Sequence, residues 1–164
     1  MKSENSSFEI VYKLYPETID YIKKPDIATD ENIEFIEFNL FFLIDNKKQG
    51  GHVEYLLWCL HDFIQNFINN YPNKPILFPG RDDPVTLILR SKDGKSFTGT
   101  IEDSRHKEDV FEFSVDYKDI VKSIVSCSEN LLKDLSKINP LVRKNQSVLN
   151  LEAVVKKFES AHKC

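Results

Sequence analysis

The sequence is poor in the residues on which many functional sites depend. Its 164 residues include only 5 glycines, 4 histidines and 3 cysteines. Neither glycine-rich phosphate-binding pattern, Gly-x-Gly-x-x-Gly or Gly-x4-Gly-Lys-Ser/Thr, is present. The three cysteines Cys59, Cys127 and Cys164 lie far apart, which is typical of free thiols in a reducing cytosol. The composition therefore argues against a phosphate-binding loop and a disulfide-rich secreted protein.

A long uninterrupted apolar run is also missing. The most apolar segment, residues 33–44, contains Glu34, Glu37 and Asn39. It is much shorter than the roughly 20 residues that a membrane-spanning helix needs. No apolar region follows residues 1–7, so we expect no signal peptide and a cytoplasmic location.

The net charge is small, but its distribution along the chain is uneven. Lys plus Arg is 22 and Asp plus Glu is 26, a net charge of -4, whereas nucleic-acid-binding domains are usually basic. Residues 16–45 hold eight acids and two bases, a local net charge of -6, and residues 117–164 hold nine bases and five acids, a net charge of +4. An acidic region of this kind could steer a basic partner, or it could only keep the protein soluble.

The length predicts one domain over residues 1–164, with residues 1–6 flexible. Alternation of apolar and polar residues predicts strands over residues 8–14 and 33–44. We predict a loop with a short helical turn between these strands, and a turn over residues 45–51. Asp93-Gly94 between two alternating segments predicts a β-hairpin, and another strand carries Phe111, Phe113 and Val115.

Helical spacing of apolar residues predicts a helix from Val53 to Ile68 and two helices in the C-terminal third. Asp116 and Ser147 are the predicted N-caps of the two C-terminal helices. These elements predict a single α+β domain. We expect a mainly antiparallel sheet of about five strands, one helix after the second strand and two C-terminal helices.

Candidate catalytic and metal-binding residues are few and scattered. Glu54 and His61 share a helix face, but two ligands are fewer than a closed metal site requires. His106 lies in a loop of mixed charges, an arrangement more typical of a solvated hairpin loop. We therefore expect no metal and no cofactor. A small enzyme or ligand-binding domain that uses His61, His106 or Arg81 stays open as an alternative, as does a generic adaptor subunit.

Trp58, the only tryptophan, lies beside the apolar face of the first predicted long helix. Large aromatic side chains are mostly buried, so a core position is the favoured interpretation. The alternative is an anchor that faces a partner, because tryptophan dominates many binding hot spots.

The apolar segment over residues 33–43, then Gly51, then the helix over residues 53–67 with Trp58 form a recognisable pattern. It resembles the small immunity proteins of bacterial polymorphic-toxin and contact-dependent growth-inhibition systems. The resemblance implies a small, acidic, cytoplasmic protein without catalytic residues. Such a protein binds a cognate toxin, often a nuclease with a basic cleft, and blocks it.

Our hypothesis is a non-enzymatic binding protein that occludes a basic surface of a toxin. Acidic side chains would complement that surface, and an aromatic side chain would anchor the contact. We expect no direct binding to nucleic acid or membrane. The candidate partner-binding residues are Glu34, Glu37, Asp82, Asp83, Glu102, Asp103 and Trp58.

Overall fold

The computed structural model describes residues 5–79, 85–106, 108 and 110–163, with the backbone alone for residues 50–54, 56, 79 and 85. Its strands are β1 (Phe8–Lys13), β2 (Glu37–Ile44), β3 (Lys47–Tyr55), β4 (Ile76–Pro79), β5 (Val85–Ser91), β6 (Ser96–Asp103) and β7 (Val110–Asp116). Its α-helices are α1 (Pro16–Ile22), α2 (Leu56–Asn70), α3 (Tyr117–Ile138) and α4 (Gln146–Ala161). Two 3₁₀ helices, η1 (Glu31–Phe35) and η2 (Pro140–Lys144), precede β2 and α4.

The strands form two antiparallel sheets, in the orders β1-β2-β3 and β4-β5-β6-β7. The predicted α+β class is therefore confirmed, but the prediction of one sheet with about five strands and three helices is wrong. The two sheets meet where the backbone N–H of Ser6 donates a 2.7 Å hydrogen bond to the carbonyl oxygen of Ser114. Nearby, the rings of Phe8 and Phe113 stack at 5.9 Å. A common aromatic core therefore spans the junction of the sheets.

β2 is the central strand of the first sheet, in agreement with its apolar sequence. Phe38, Leu40 and Phe42 are at most 1% exposed, and the residues between them point to the opposite face. Each fully buried side chain of this size stabilises the fold by roughly 1.5–3 kcal/mol relative to its exposed state. On the opposite face of β2, the first side chain is that of Glu37, which is exposed.

The predicted turn over residues 45–51 is wrong beyond its first two residues. Asp45 and Asn46 alone make the turn, with φ angles of 51° and 61°, a left-handed conformation that Asp and Asn tolerate well. Residues 47–55 are β3, and the register with β2 shifts between Leu40 and Phe42, so Gly50 and Gly51 lie in a β-bulge. The helix α2 consequently begins at Leu56 and not at Val53.

The predicted strand over residues 33–44 is also too long. Its first part is the 3₁₀ helix η1, where the carboxylate of Asp30 accepts a hydrogen bond from the backbone N–H of Asn32 at 2.9 Å. This N-cap begins a helical turn that alternation alone does not reveal. Glu34 therefore belongs to η1, whereas Glu37 is the first residue of β2.

In each sheet, one edge strand donates a hydrogen bond to a helix side chain. The backbone N–H of Ile10 in β1 donates to Ser123 Oγ of α3 at 2.7 Å. The backbone N–H of Leu77 in β4 donates to Asn66 Oδ1 of α2 at 3.1 Å. A strand edge covered in this way is a poor template for pairing with another chain.

The C-terminal helices match the predicted pattern, with corrections at their caps. Asn145, and not Ser147, caps α4, and its Oδ1 accepts a hydrogen bond from the backbone N–H of Ser147 at 2.9 Å. Asp116 precedes α3 without a side-chain capping bond, and its carboxylate instead accepts from Asn5 Nδ2 at 2.5 Å. Among the described residues, no helix combines the length and apolar character needed to cross a membrane.

Candidate functional site

Three surface concavities surround η1. The first, about 440 Å³, lies between α1, η1 and the start of β2. The second, about 430 Å³, lies between η1 and the start of α4, and the third, about 280 Å³, lies between η1, α2 and α4. We call the surface formed by Glu17, Glu31, Glu34, Phe35 and Glu37 the η1 face. Each of these residues lines at least one of the three concavities.

The η1 face carries four carboxylates, those of Glu17, Glu31, Glu34 and Glu37. Glu17, Glu31 and Glu37 are exposed and Glu34 is half-buried. None of these four carboxylates forms a salt bridge with another residue of the described chain. Phe35, 41% exposed, lies among them and packs edge-on against Tyr55 at 5.8 Å between ring centroids. The face thus combines acidic side chains with an exposed aromatic ring.

The carboxylate of Asp30 helps to hold η1 in place. Unlike the glutamates of the η1 face, it is occupied by hydrogen bonds within the protein. The hydroxyl of Tyr21 donates to Asp30 Oδ2 at 2.5 Å, and the N–H of Asn32 donates to Oδ1. These bonds lower the pKa of the Asp30 carboxyl below its usual range. Burial and the bond to Asp30 raise the pKa of Tyr21 to about 12. At physiological pH the phenol of Tyr21 is therefore neutral and the carboxylate of Asp30 is charged.

Two asparagines attach residues 22–30, which lead into η1, to the C-terminal part of the chain. Asn139 Nδ2 donates to the carbonyl oxygens of Ile22 and Lys24 at 2.9 and 3.0 Å. Asn145 Nδ2 donates to the carbonyl oxygens of Ile27 and Asp30, both at 2.8 Å. The end of α1 and the loop between α1 and η1 are consequently held at four backbone carbonyls, which positions the chain that leads into η1.

Three of the predicted partner-binding residues come together around η1. Glu34 and Trp58 line the third concavity, and Glu37 lines the first. Trp58 is half-buried and packs against the hydrophobic core while it also borders this concavity. Trp58 therefore contacts the core and also reaches the surface, and its role as an anchor that faces a partner stays a prediction.

The other predicted acidic residues lie elsewhere in the fold or outside the described residues. Glu102 and Asp103 end β6 in the second sheet. Arg105 donates to both oxygens of Asp103, with Nη2 at 2.8 Å from Oδ2 and Nε at 3.1 Å from Oδ1, and lowers the pKa of that carboxyl to about 2. The charge of Asp103 is therefore paired within its own loop. Asp82 and Asp83 lie outside the described residues.

Sequence reasoning missed the aromatic component of this surface. Tyr15, Tyr21 and Phe35 line the first concavity together with Glu17 and Glu37. The available signal was the density of aromatic and acidic residues over residues 15–37, which the charge count registered only in part.

The residues proposed for alternative chemistry remain dispersed. Among the described residues, no group of three or more His, Cys, Asp and Glu side chains is placed to hold a metal ion. Burial raises the pKa of the Cys127 thiol to about 12, so this buried thiol stays protonated and is a poor nucleophile. His61 lines the third concavity beside Glu34, whereas His106 is exposed in the loop after β6. Arg81 lies outside the described residues.

A further groove, about 640 Å³, runs between β1 and α3. Its walls carry acidic and basic side chains together, including Lys122, Lys133 and Asp119. The hydroxyl of Tyr12 crosses the groove and donates to Asp134 Oδ2 at 2.7 Å. This hydrogen bond joins β1 to α3 across the groove.

Comparison of the chain with protein-family models, with curated proteins and with solved structures gives no match. The resemblance to immunity proteins therefore rests on the sequence pattern over residues 33–67. The chemistry of the η1 face is the remaining guide to function.

Proposed function

We propose that the protein is a non-enzymatic binding protein that neutralises a cognate bacterial toxin by covering a basic surface of it. The observation that supports this proposal is the η1 face, where four carboxylates lack salt-bridge partners within the described chain. A cluster of acidic residues complements a positively charged surface and accelerates its approach. Occlusion then requires only that the complex be stable, and no chemical step.

The shape of the η1 face suits a protein partner. An aromatic residue surrounded by polar and charged side chains is a common arrangement at protein interfaces. Phe35 occupies this position, and Trp58 borders the neighbouring concavity. The hydrogen bonds from Asn145 hold the backbone of the loop before η1 in place. Binding a partner would therefore immobilise little additional backbone, which keeps its entropic cost low.

The proposal is tested with a toxin candidate, the C-terminal domain of a large secreted protein encoded by a neighbouring gene. Co-expression of the intact protein is expected to restore growth of cells that produce this domain. The double variant Glu31→Lys and Glu34→Lys is expected to lose this protection, because it reverses two charges of the η1 face. The matched control, Glu129→Lys and Glu159→Lys, makes the same net-charge change at exposed positions of α3 and α4 and is expected to protect.

The electrostatic mechanism has its own readout in the association rate. Salt screens charges over a Debye length that shrinks from about 30 Å at 0.01 M to about 8 Å at 0.15 M. Association of the purified pair is therefore expected to slow as salt rises, and more for the intact protein than for the η1-face double variant. Absence of protection by the intact protein, or equal loss in both double variants, would overturn the proposed function.

A further inference from the structure

The first concavity, between α1, η1 and β2, is lined by three aromatic rings. Tyr15 precedes α1, Tyr21 lies near its end, and Phe35 ends η1. The buried side chains of Thr18 and Ile36 also line it. Thr18 Oγ donates to the carbonyl oxygen of Glu37 at 2.7 Å and ties α1 to the first residue of β2. The concavity is therefore preformed by contacts between elements that are distant in sequence.

Asn32 and two carboxylates, Glu17 and Glu37, complete its lining. The lining includes no basic residue, and neither carboxylate forms a salt bridge with another residue in the described part of the chain. Aromatic faces and negative charge in one concavity select for a cation that also has an apolar or planar surface.

One ring of the lining, that of Tyr21, already has a cation on its face. The ammonium nitrogen of Lys24 lies 3.6 Å from the centroid of the Tyr21 ring. A cation so close to the face of an aromatic ring is attracted by the electrons of that ring. Lys24 does not line the concavity, so this contact occupies Tyr21 without placing a positive charge inside.

We infer that this concavity binds an arginine side chain of the partner protein, an inference that rests on the proposed function and names its anchor. A guanidinium is planar, so it stacks on an aromatic ring while its N–H groups donate to a carboxylate. The rings of Tyr15 and Phe35 line the concavity and offer stacking surfaces, whereas the ring of Tyr21 already carries Lys24. Glu17 and Glu37 offer acceptors. An ammonium group is a more strongly hydrated point charge and matches this combination less well.

The test uses a small probe, N-acetyl-arginine N-methylamide, titrated into the isotope-labelled full chain while backbone amide chemical shifts are recorded. The control probe is the citrulline analogue, which has nearly the same shape without the charge. Shifts are expected at Thr18, Phe35 and Glu37. The arginine probe is expected to bind about five- to tenfold more tightly than the citrulline probe, because only its charged group gains cation–π and carboxylate contacts; a tenfold difference corresponds to 1.4 kcal/mol. Equal binding of both probes, or shifts spread evenly over exposed acidic residues, would overturn the inference.

Substitutions of the residues that line the concavity test whether the arginine probe binds there. Glu17→Gln combined with Glu37→Gln, and separately Phe35→Leu, are expected to abolish the localised shifts. All three positions are exposed, so these variants are expected to keep the fold, which circular dichroism and thermal unfolding verify. The matched control Glu129→Gln with Glu159→Gln is expected to bind the arginine probe normally. Unchanged probe binding in the Glu17/Glu37 double variant would contradict the site.

Failure of this inference is distinguishable from failure of the proposed function. If the Glu17/Glu37 and Phe35 variants protect cells from the toxin as well as the intact protein does, the arginine site is wrong and the toxin-binding proposal stands. If the arginine probe binds at this site but the intact protein gives no protection, the site stands as a cation-binding site and the toxin proposal is wrong.

Discussion

The side-chain amide of Asn145 donates a 2.8 Å hydrogen bond to the carbonyl oxygen of Ile27, which lies 118 residues earlier in the chain. The same nitrogen donates to the carbonyl oxygen of Asp30, and the amide oxygen accepts from Ser147. Asn145 is 3% exposed, so water cannot replace these bonds readily. One side chain thus caps α4 and holds the loop that leads to η1.

Replacement of Asn145 by Ala is expected to lower the free energy of unfolding by about 2–4 kcal/mol. The variant loses an N-cap, and it leaves buried carbonyl oxygens without their donor. Urea unfolding measures the change. Asn150→Ala, at an exposed position of the same helix, is the control and is expected to change stability by less than about 0.5 kcal/mol. Similar values for the two variants would show that the network of Asn145 contributes little.

Replacement of Ser123 by Ala is expected to destabilise the protein by about 1–3 kcal/mol, because the buried N–H of Ile10 loses its acceptor. Hydrogen exchange at the Ile10 amide is expected to accelerate more than exchange in the centre of β2. Ser126→Ala, at an exposed position of α3, is expected to leave both quantities unchanged. An unaltered exchange rate at Ile10 in Ser123→Ala would contradict the assigned bond.

Gly99 of β6 lies directly opposite Phe113 of β7, and a Cβ atom at position 99 would come within 2.2 Å of Phe113 Cζ. Gly99→Ala is therefore expected to displace the ring and to cost about 1–3 kcal/mol, as other overpacked substitutions do. Phe113→Ala removes the obstacle, so adding Gly99→Ala to that variant is expected to cost much less. Denaturant unfolding of the four proteins gives the coupling energy, and additive effects would refute the steric explanation.

Stability is expected to fall below pH 6.5 partly because of His162. Burial lowers the pKa of this imidazole from its ordinary 6.5, and its Nδ1 is hydrogen-bonded to the hydroxyl of Tyr117. The unfolded chain therefore binds more protons, so the contribution of the neutral ring is complete above pH 6.5 and is lost as pH falls through the lower folded pKa. In urea unfolding at pH 7.5 and 5.5, His162→Phe is expected to show a smaller pH dependence than the intact protein. Parallel pH profiles would exclude a role for His162.

The parts of the fold that the sequence predicted correctly depend on local patterns. The buried face of β2 follows from strict alternation, and Asp93-Gly94 correctly predicted the β5–β6 hairpin, where Gly94 has a φ of 75°. β3 escaped prediction because residues 47–51 are polar or glycine and show no alternation. Its strand conformation comes from pairing with β2, a tertiary effect that outweighs local propensity.

Of the candidate surface, the acidic residues could be predicted from the sequence, but the aromatic concavity could not. Counting acidic residues pointed to the region of Glu34 and Glu37, and both belong to the η1 face. The aromatic concavity could not be predicted, because it depends on Thr18 joining α1 to the start of β2. The same holds for Asn145, whose partners lie more than a hundred residues away along the chain.

The position of β1 has a consequence for the order in which the chain assembles during its synthesis. β1 leaves the ribosome before α3, and the hydrogen bond from Ile10 to Ser123 joins residues 113 positions apart. Until α3 has been made, the outer edge of β1 lacks its cover, and such edges recruit other strands. Nascent chains arrested before α3 are therefore expected to aggregate more readily than chains arrested after it.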